Sequence, residues 1–182
     1  MPRLVSRVLL WAPVVILLSH PAAAQLLPLG RPQSVTASTG AFEVRKTLDE
    51  YEAGWELRFA PQRFRLMPRW MPDLIPVTGL MATSRGAFLA YGGVRAELPL
   101  GERWVASGGW APALYYRGTG AGKDLGGVLE FRSHVELAYR LADEARVGLC
   151  FYHLSNGMLF SFHDFNPGTE SLVITYTTRV GN

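Results

Sequence analysis

The chain reads as an all-β protein, an eight-stranded antiparallel outer-membrane β-barrel. Three observations predict this. Eight segments of alternating polar and apolar residues follow one another between Ser34 and Val180. Alternation with period two marks strands that have two distinct faces. The N-terminus has the pattern of an export signal, and beyond it no segment reaches 18 uninterrupted apolar residues. A chain of this kind crosses a membrane by strands rather than helices.

The export signal is read from Arg3 and Arg7, the apolar stretch Val8 to Leu18, and the A-x-A site Ala22-Ala23-Ala24 before Gln25. Residues 1–24 are a secretory signal peptide on this pattern, and 25–182 form a single β-barrel domain. Removing Arg3 and Arg7 from the eighteen basic residues leaves sixteen against fifteen acids, a net of +1. That balance points away from nucleic acid. Cys150 is the only cysteine, so an intrachain disulfide and a cysteine-based metal site are excluded. An exported protein without disulfides must be held together another way, and a closed hydrogen-bonded barrel does this.

Gln25 to Gln33 is a short leader containing Pro28, Gly30 and Pro32. The first segment spans Ser34 to Lys46, with Phe42 and Val44 on one face and Glu43 and Arg45 on the other. The second, Glu50 to Ala60, puts Tyr51, Ala53, Trp55, Leu57 and Phe59 opposite Glu52, Glu56 and Arg58. In a membrane barrel the apolar face meets lipid and the charges line the lumen. In a soluble sandwich the same alternation separates core from solvent, so the export signal and the aromatic density decide between them.

Pro61 to Leu74 is a long connection. Pro61, Pro68 and Pro72 break it, and Arg63, Arg65 and Arg69 interleave with Phe64, Leu66, Met67, Trp70 and Met71. It is either an ordinary solvated extracellular loop or a basic-aromatic surface for anionic lipid headgroups. The third and fourth segments, Ile75 to Ser84 and Ala87 to Leu98, meet at Arg85-Gly86, and Pro99-Leu100-Gly101 turns the chain. The fifth, Glu102 to Tyr116, holds Trp104 and Trp110 in phase and ends on Tyr115 and Tyr116, as at a membrane interface. A glycine-rich loop covers Arg117 to Gly127.

The sixth segment, Val128 to Leu141, sets Glu130, Arg132, His134, Glu136 and Arg140 on one face. These suggest a lumen filled by ion pairs, since small barrels have packed interiors. That favours a structural reading of His134 and Glu136 over a catalytic or metal pair. Ala145 to Asn156 and Thr169 to Val180 complete the eight.

The last two segments carry the chemistry. Residues i and i+2 share a strand face, so His153 and Ser155 continue the apolar face of Val147, Leu149 and Phe151. Glu170 likewise continues the face of Leu172, Ile174 and Tyr176. An ionisable group turned toward a bilayer is costly, and by default marks function. Ser155 needs a base to act as nucleophile, which His153 supplies, and Glu170 orients the imidazole. Asn156, Asn166 and the backbone N–H groups after Ser155 are candidates for binding the oxyanion. His163-Asp164 in the intervening loop is a rival base-acid pair.

His153-Leu154-Ser155-Asn156, followed by Asn166-Pro167-Gly168-Thr169-Glu170, resembles the signature of the PagL-type lipid A 3-O-deacylases. These are outer-membrane enzymes of eight antiparallel strands. The resemblance implies a triad of Ser155, His153 and Glu170, and an oxyanion site formed by Asn166 with a backbone N–H just after the nucleophile. The glycine that follows the nucleophile in the family falls here at Gly157, with Met158 next to it, and either can be that donor. The reaction implied is hydrolysis of the ester-linked 3-position acyl chain of lipid A, the anchor of lipopolysaccharide, without metal or organic cofactor. Two other classes remain: a non-enzymatic structural barrel, and a periplasmic lipocalin-like lipid binder with its apolar faces turned inward.

Overall fold

The computed structural model describes residues 29–45, 48–119, 122–141, 145–157 and 167–180. The signal-peptide residues, the rival pair His163-Asp164, Met158 and Asn166 lie outside them. Eight strands form one closed antiparallel barrel in sequence order. They are β1 (Ser34–Phe42), β2 (Glu50–Arg58), β3 (Leu74–Thr83), β4 (Phe88–Leu100), β5 (Trp104–Tyr116), β6 (Leu129–Arg140), β7 (Arg146–Ser155) and β8 (Thr169–Arg179). β1 closes the barrel on β8 through pairs from Ser34↔Arg179 to Ala41↔Leu172. Closure leaves no unpaired edge, which a bilayer would not tolerate.

The alternation sorts the side chains as a membrane barrel requires. On β7, Val147, Leu149 and Phe151 are exposed on the outer wall while Cys150, Tyr152 and Leu154 are buried inside. On β8, Leu172, Ile174 and Tyr176 face out, and Thr169, Ser171, Val173, Thr175 and Thr177 face in. Trp104 and Trp110 both stand on the outer wall. The lipocalin-like alternative needs the opposite arrangement and does not fit this chain.

The lumen is solid. Around its middle, Arg132 lies over the rings of Tyr91 and Tyr152 at 4.8 and 4.3 Å, and Tyr152 donates to Glu52. Beside it Arg95 bridges Glu56 at 2.9 Å and Glu136. Arg58 binds Glu56 at 3.0 Å, and Arg146 binds Glu97 at 2.6 Å. Glu136 also accepts from Thr175 Oγ1 at 2.5 Å. His134 Nδ1 accepts from the Arg132 guanidinium at 3.1 Å. His134 and Glu136 are therefore members of this interior network. Toward one rim an apolar cluster including Phe42, Leu89, Tyr115, Leu125 and Leu154 seals the lumen.

Several local readings change. Pro99 and Leu100 belong to β4, pairing with Val105 and Trp104, and the turn is 101–103. Proline is tolerated at position 99 because β3 ends its pairing at Leu74↔Ala96, leaving that edge free. Tyr115 faces the lumen rather than an interface, and its hydroxyl donates to the Lys123 carbonyl at 2.8 Å; Tyr116 alone of the pair is on the outer wall. The glycine-rich loop is docked: Leu125 is buried in the apolar cluster, and Lys123 pairs with Glu43 at 2.6 Å.

The long connection 59–73 shares a rim with the start of β1, the end of β8, the short turn 101–103 and the short link between β6 and β7. Short turns mark the periplasmic side of such barrels. The expectation of an extracellular loop is thus corrected; the segment lies at the end opposite His153 and Ser155.

Candidate active site

The β7–β8 hairpin brings His153 directly opposite Glu170 in the ladder. Directly opposed residues have Cβ atoms roughly 4.5–5.5 Å apart, and here the His153 Nδ1 to Glu170 Oε1 distance is 3.3 Å. Ser155 stands two residues beyond His153 on the same face. The last β7–β8 pair is Leu154↔Thr169, so Ser155 sits where β8 gives way to the loop. The site is at the wall's edge, half-buried: side-chain exposure is 40% for His153 and 15% for Glu170.

With Nδ1 on the carboxylate, Nε2 is the nitrogen left for a further partner. That is the tautomer a Ser-His-acid set needs. Gly168, at φ +55°, packs on the same edge of the ring. A Cβ there would lie 3.0 Å from His153 Cε1 and 3.5 Å from Nε2. A side chain at 168 would press the imidazole away, so glycine here serves both the turn and the ring's position.

Two residues emerge that the sequence reading did not place in the site. β1 stops at Phe42, and Glu43 adopts φ +62°, an uncommon conformation for a non-glycine residue. This breaks the alternation. Phe42 stays in the lumen and Glu43 turns to Lys123. Val44 N–H then donates to the Glu170 carbonyl at 2.9 Å, which carries Arg45 over the hairpin. Arg45 Nη1 contacts Glu170 Oε1 at 2.9 Å, the same oxygen that faces His153. Gly168 lay within the Asn166-Pro167-Gly168-Thr169-Glu170 run, but its packing on the His153 ring needed the loop bend; Arg45 had no local signal, and only barrel closure reveals it.

The oxyanion candidates separate. Asn156 is buried, and its Nδ2 donates to the Leu125 carbonyl at 3.4 Å. Its amide thus anchors the neighbouring loop on the inner side of the wall, away from the face of Ser155. Gly157 follows, exposed, with φ +62°. On the other flank Phe131 is paired with Ser155 and stacks on Trp110 at 5.3 Å and 14°. An aromatic patch of the lipid-facing wall therefore adjoins the nucleophile candidate. Among the described residues no cluster of three or more metal-ligating side chains occurs.

Fold and site together define a transmembrane barrel with a histidine–carboxylate pair on its outer face and a serine two residues along the same strand. The family model described as "Lipid A 3-O-deacylase (PagL)" matches residues 49–179. The chain belongs to that family of outer-membrane enzymes, and it is an outer-membrane barrel. It is 30% identical over 77 residues to the lipid A deacylase PagL of Bordetella bronchiseptica. That match spans 42% of each chain, so it reaches less than half the length of the curated relative. Among solved structures it is similar to the crystal structure of the outer membrane enzyme PagL, with TM-score 0.63 and 19% identity over 81% of this chain and 99% of the other. It is also similar in fold to the de novo designed TMB2.3, with TM-score 0.51 and 8% identity over 86% of this chain and all of the other.

Proposed function

We propose that the protein hydrolyses the ester-linked acyl chain at the 3 position of lipid A by a Ser155-His153-Glu170 mechanism at the lipid-facing wall. The observation that carries this reading is the outward His153–Glu170 contact at 3.3 Å, with Ser155 next along the same face. A lumen-facing pair of this kind would be structural; an outward-facing one meets the bilayer's own molecules.

His153 Nε2 takes the Ser155 proton as Oγ attacks the ester carbonyl carbon. Glu170 holds the ring and stabilises the imidazolium that forms. The tetrahedral oxyanion is met by Asn166 and a backbone N–H at Gly157 or Met158; one such donor is typically worth about 10²–10³ in rate. Collapse breaks the ester bond, and His153 returns its proton to the departing sugar oxygen. Water, deprotonated by His153, then attacks the acyl-serine, freeing the fatty acid and restoring Ser155. The substrate never has to leave its leaflet, because its acyl chain lies along Phe131 and Trp110. No resident cofactor takes part in these steps. The export step is proposed to be cleavage after Ala24, readable by N-terminal sequencing of the membrane-bound protein.

Ser155→Ala tests the mechanism. Mass spectrometry of lipid A from cells making the wild-type protein should show loss of the 3-position chain, and cells making Ser155→Ala should not. Identical lipid A in both would leave a structural barrel as the better reading.

A further inference from the structure

The connection 59–73, far from the hairpin, is built with more order than a solvated loop requires. Gln62 and Leu74 exchange backbone hydrogen bonds at 2.7 and 3.0 Å, closing its base. Arg63 organises the rest. Its Nη1 donates to Met71 O at 3.1 Å and Asp73 Oδ1 at 2.6 Å. Its Nη2 donates to Pro68 O and Arg69 O, both at 3.1 Å. Turns with Met67 N–H on Phe64 O and Met71 N–H on Pro68 O, each at 3.0 Å, complete the frame.

This frame holds apolar side chains away from the protein. Phe64 is 57%, Trp70 84% and Leu66 95% exposed. Single exposed apolar residues are ordinary, but three in so short a segment form a patch, and patches mark a partner. Arg65 and Arg69 are exposed beside them. Among the described residues neither guanidinium has a hydrogen bond or ion pair, whereas Arg63 is matched by Asp73. The segment does not plug the barrel: the cavity of about 870 Å³ at this rim is lined by Phe59, Pro61 and Ile75 but by nothing between them. On the same rim β4 runs past the end of β3 and presents Leu98 and Leu100 outward, with Trp104 opposite Leu100. The segment is rooted there, since Leu74 both closes its base on Gln62 and pairs with Ala96 of β4.

We propose that residues 63–73 form an interfacial anchor in the phospholipid leaflet on the side opposite the active site. Leu66, Phe64 and Trp70 enter the boundary between headgroups and acyl chains, and Arg65 and Arg69 bind anionic headgroup phosphates. Aromatic and apolar side chains flanked by cations are what such an interface retains. The anchor does not depend on the hydrolase reading and can fail separately from it.

The full-length protein is reconstituted in vesicles with Trp70 as sole tryptophan, the others being replaced by Phe. Trp70 should be shielded from aqueous acrylamide and quenched by phospholipid brominated near the headgroup. Competition between brominated and unbrominated lipids should favour phosphatidylglycerol over phosphatidylcholine on the order of tenfold. Arg65→Gln with Arg69→Gln should bring that preference close to parity, while Arg65→Lys with Arg69→Lys keeps it. Heat-modifiable gel migration verifies that each variant is folded. Full acrylamide access to Trp70 overturns the proposal, as does an anionic preference lost equally in the Lys pair. Shielding that rises only with the protein-to-lipid ratio would assign the patch to a second copy and also overturn it.

Discussion

Two polar constellations stand on opposite sides of the barrel wall, and β8 contributes to both, Thr175 inside and Glu170 outside. Inside, Glu136 is met by Arg95, Arg58, Ser107 and Thr175, and Arg95 in turn reaches Glu56. Outside, Glu170 is met by His153 and Arg45 alone among the described residues. The inner groups are buried and multiply paired, as charges removed from water must be. The outer groups are half-buried, few, and end in a serine. Networks of the first kind fill a lumen, whereas groups of the second kind stay available to a substrate. Direction relative to the wall, more than residue type, separates the structural network from the proposed site: His134 and His153 are both strand histidines on adjacent strands.

The largest expected effect comes from breaking the outer set at its proposed nucleophile. Ser155→Ala should lower lipid A deacylation by about 10⁴-fold or more and leave the midpoint of chemical unfolding unchanged. A shifted midpoint would mean that the serine belongs to the structural kind. Glu170→Gln removes the charge and keeps the shape, and should lower turnover by about 10³–10⁴-fold, again without a change in stability.

The inner set should respond in the opposite sense. Arg95→Ala removes one of the two cations, Arg95 and Arg58, that Glu56 and Glu136 share. Losing one partner of a buried pair costs about 3–5 kcal/mol, measurable by denaturant unfolding in micelles. Activity per folded molecule should remain within about twofold. If Arg95→Ala instead abolished turnover in folded protein, the division between the two faces would be wrong. The smallest effect belongs to Arg45→Ala. Its guanidinium is 74% exposed, so the contact with Glu170 is worth at most about 1 kcal/mol. Steady-state kinetics should show a loss of about fivefold or less, carried by turnover if Arg45 only steadies the acid.

The strands were legible in the sequence because alternation is local. Tyr51 to Phe59 or Val147 to Ser155 declares its two faces whatever lies beside it. The same parity placed His153, Ser155 and Glu170 on one surface before any pairing was known. It failed where the backbone left the pleat. Glu43 at φ +62° redirected Arg45, and the expected continuation of the first segment to Lys46 ended at Phe42. At Tyr115 parity held and the expectation of an interface aromatic did not: the residue is out of phase with Trp104, Trp110 and Tyr116 and is lumenal. The site's partners across strands were beyond it, because hydrogen-bond register and barrel stagger are set by all eight strands together.

By itself, then, the order of residues determined eight two-faced strands and a polar trio in phase with the lipid-facing side. The tertiary structure decided that His153 stands opposite Glu170, that Arg45 arrives from β1's end through closure on β8, and that the arginine-aromatic connection lies at the far rim. The physical reason is one of range. A side chain's face follows from its own strand's period of two, while its partner depends on which residue the closed ladder brings alongside.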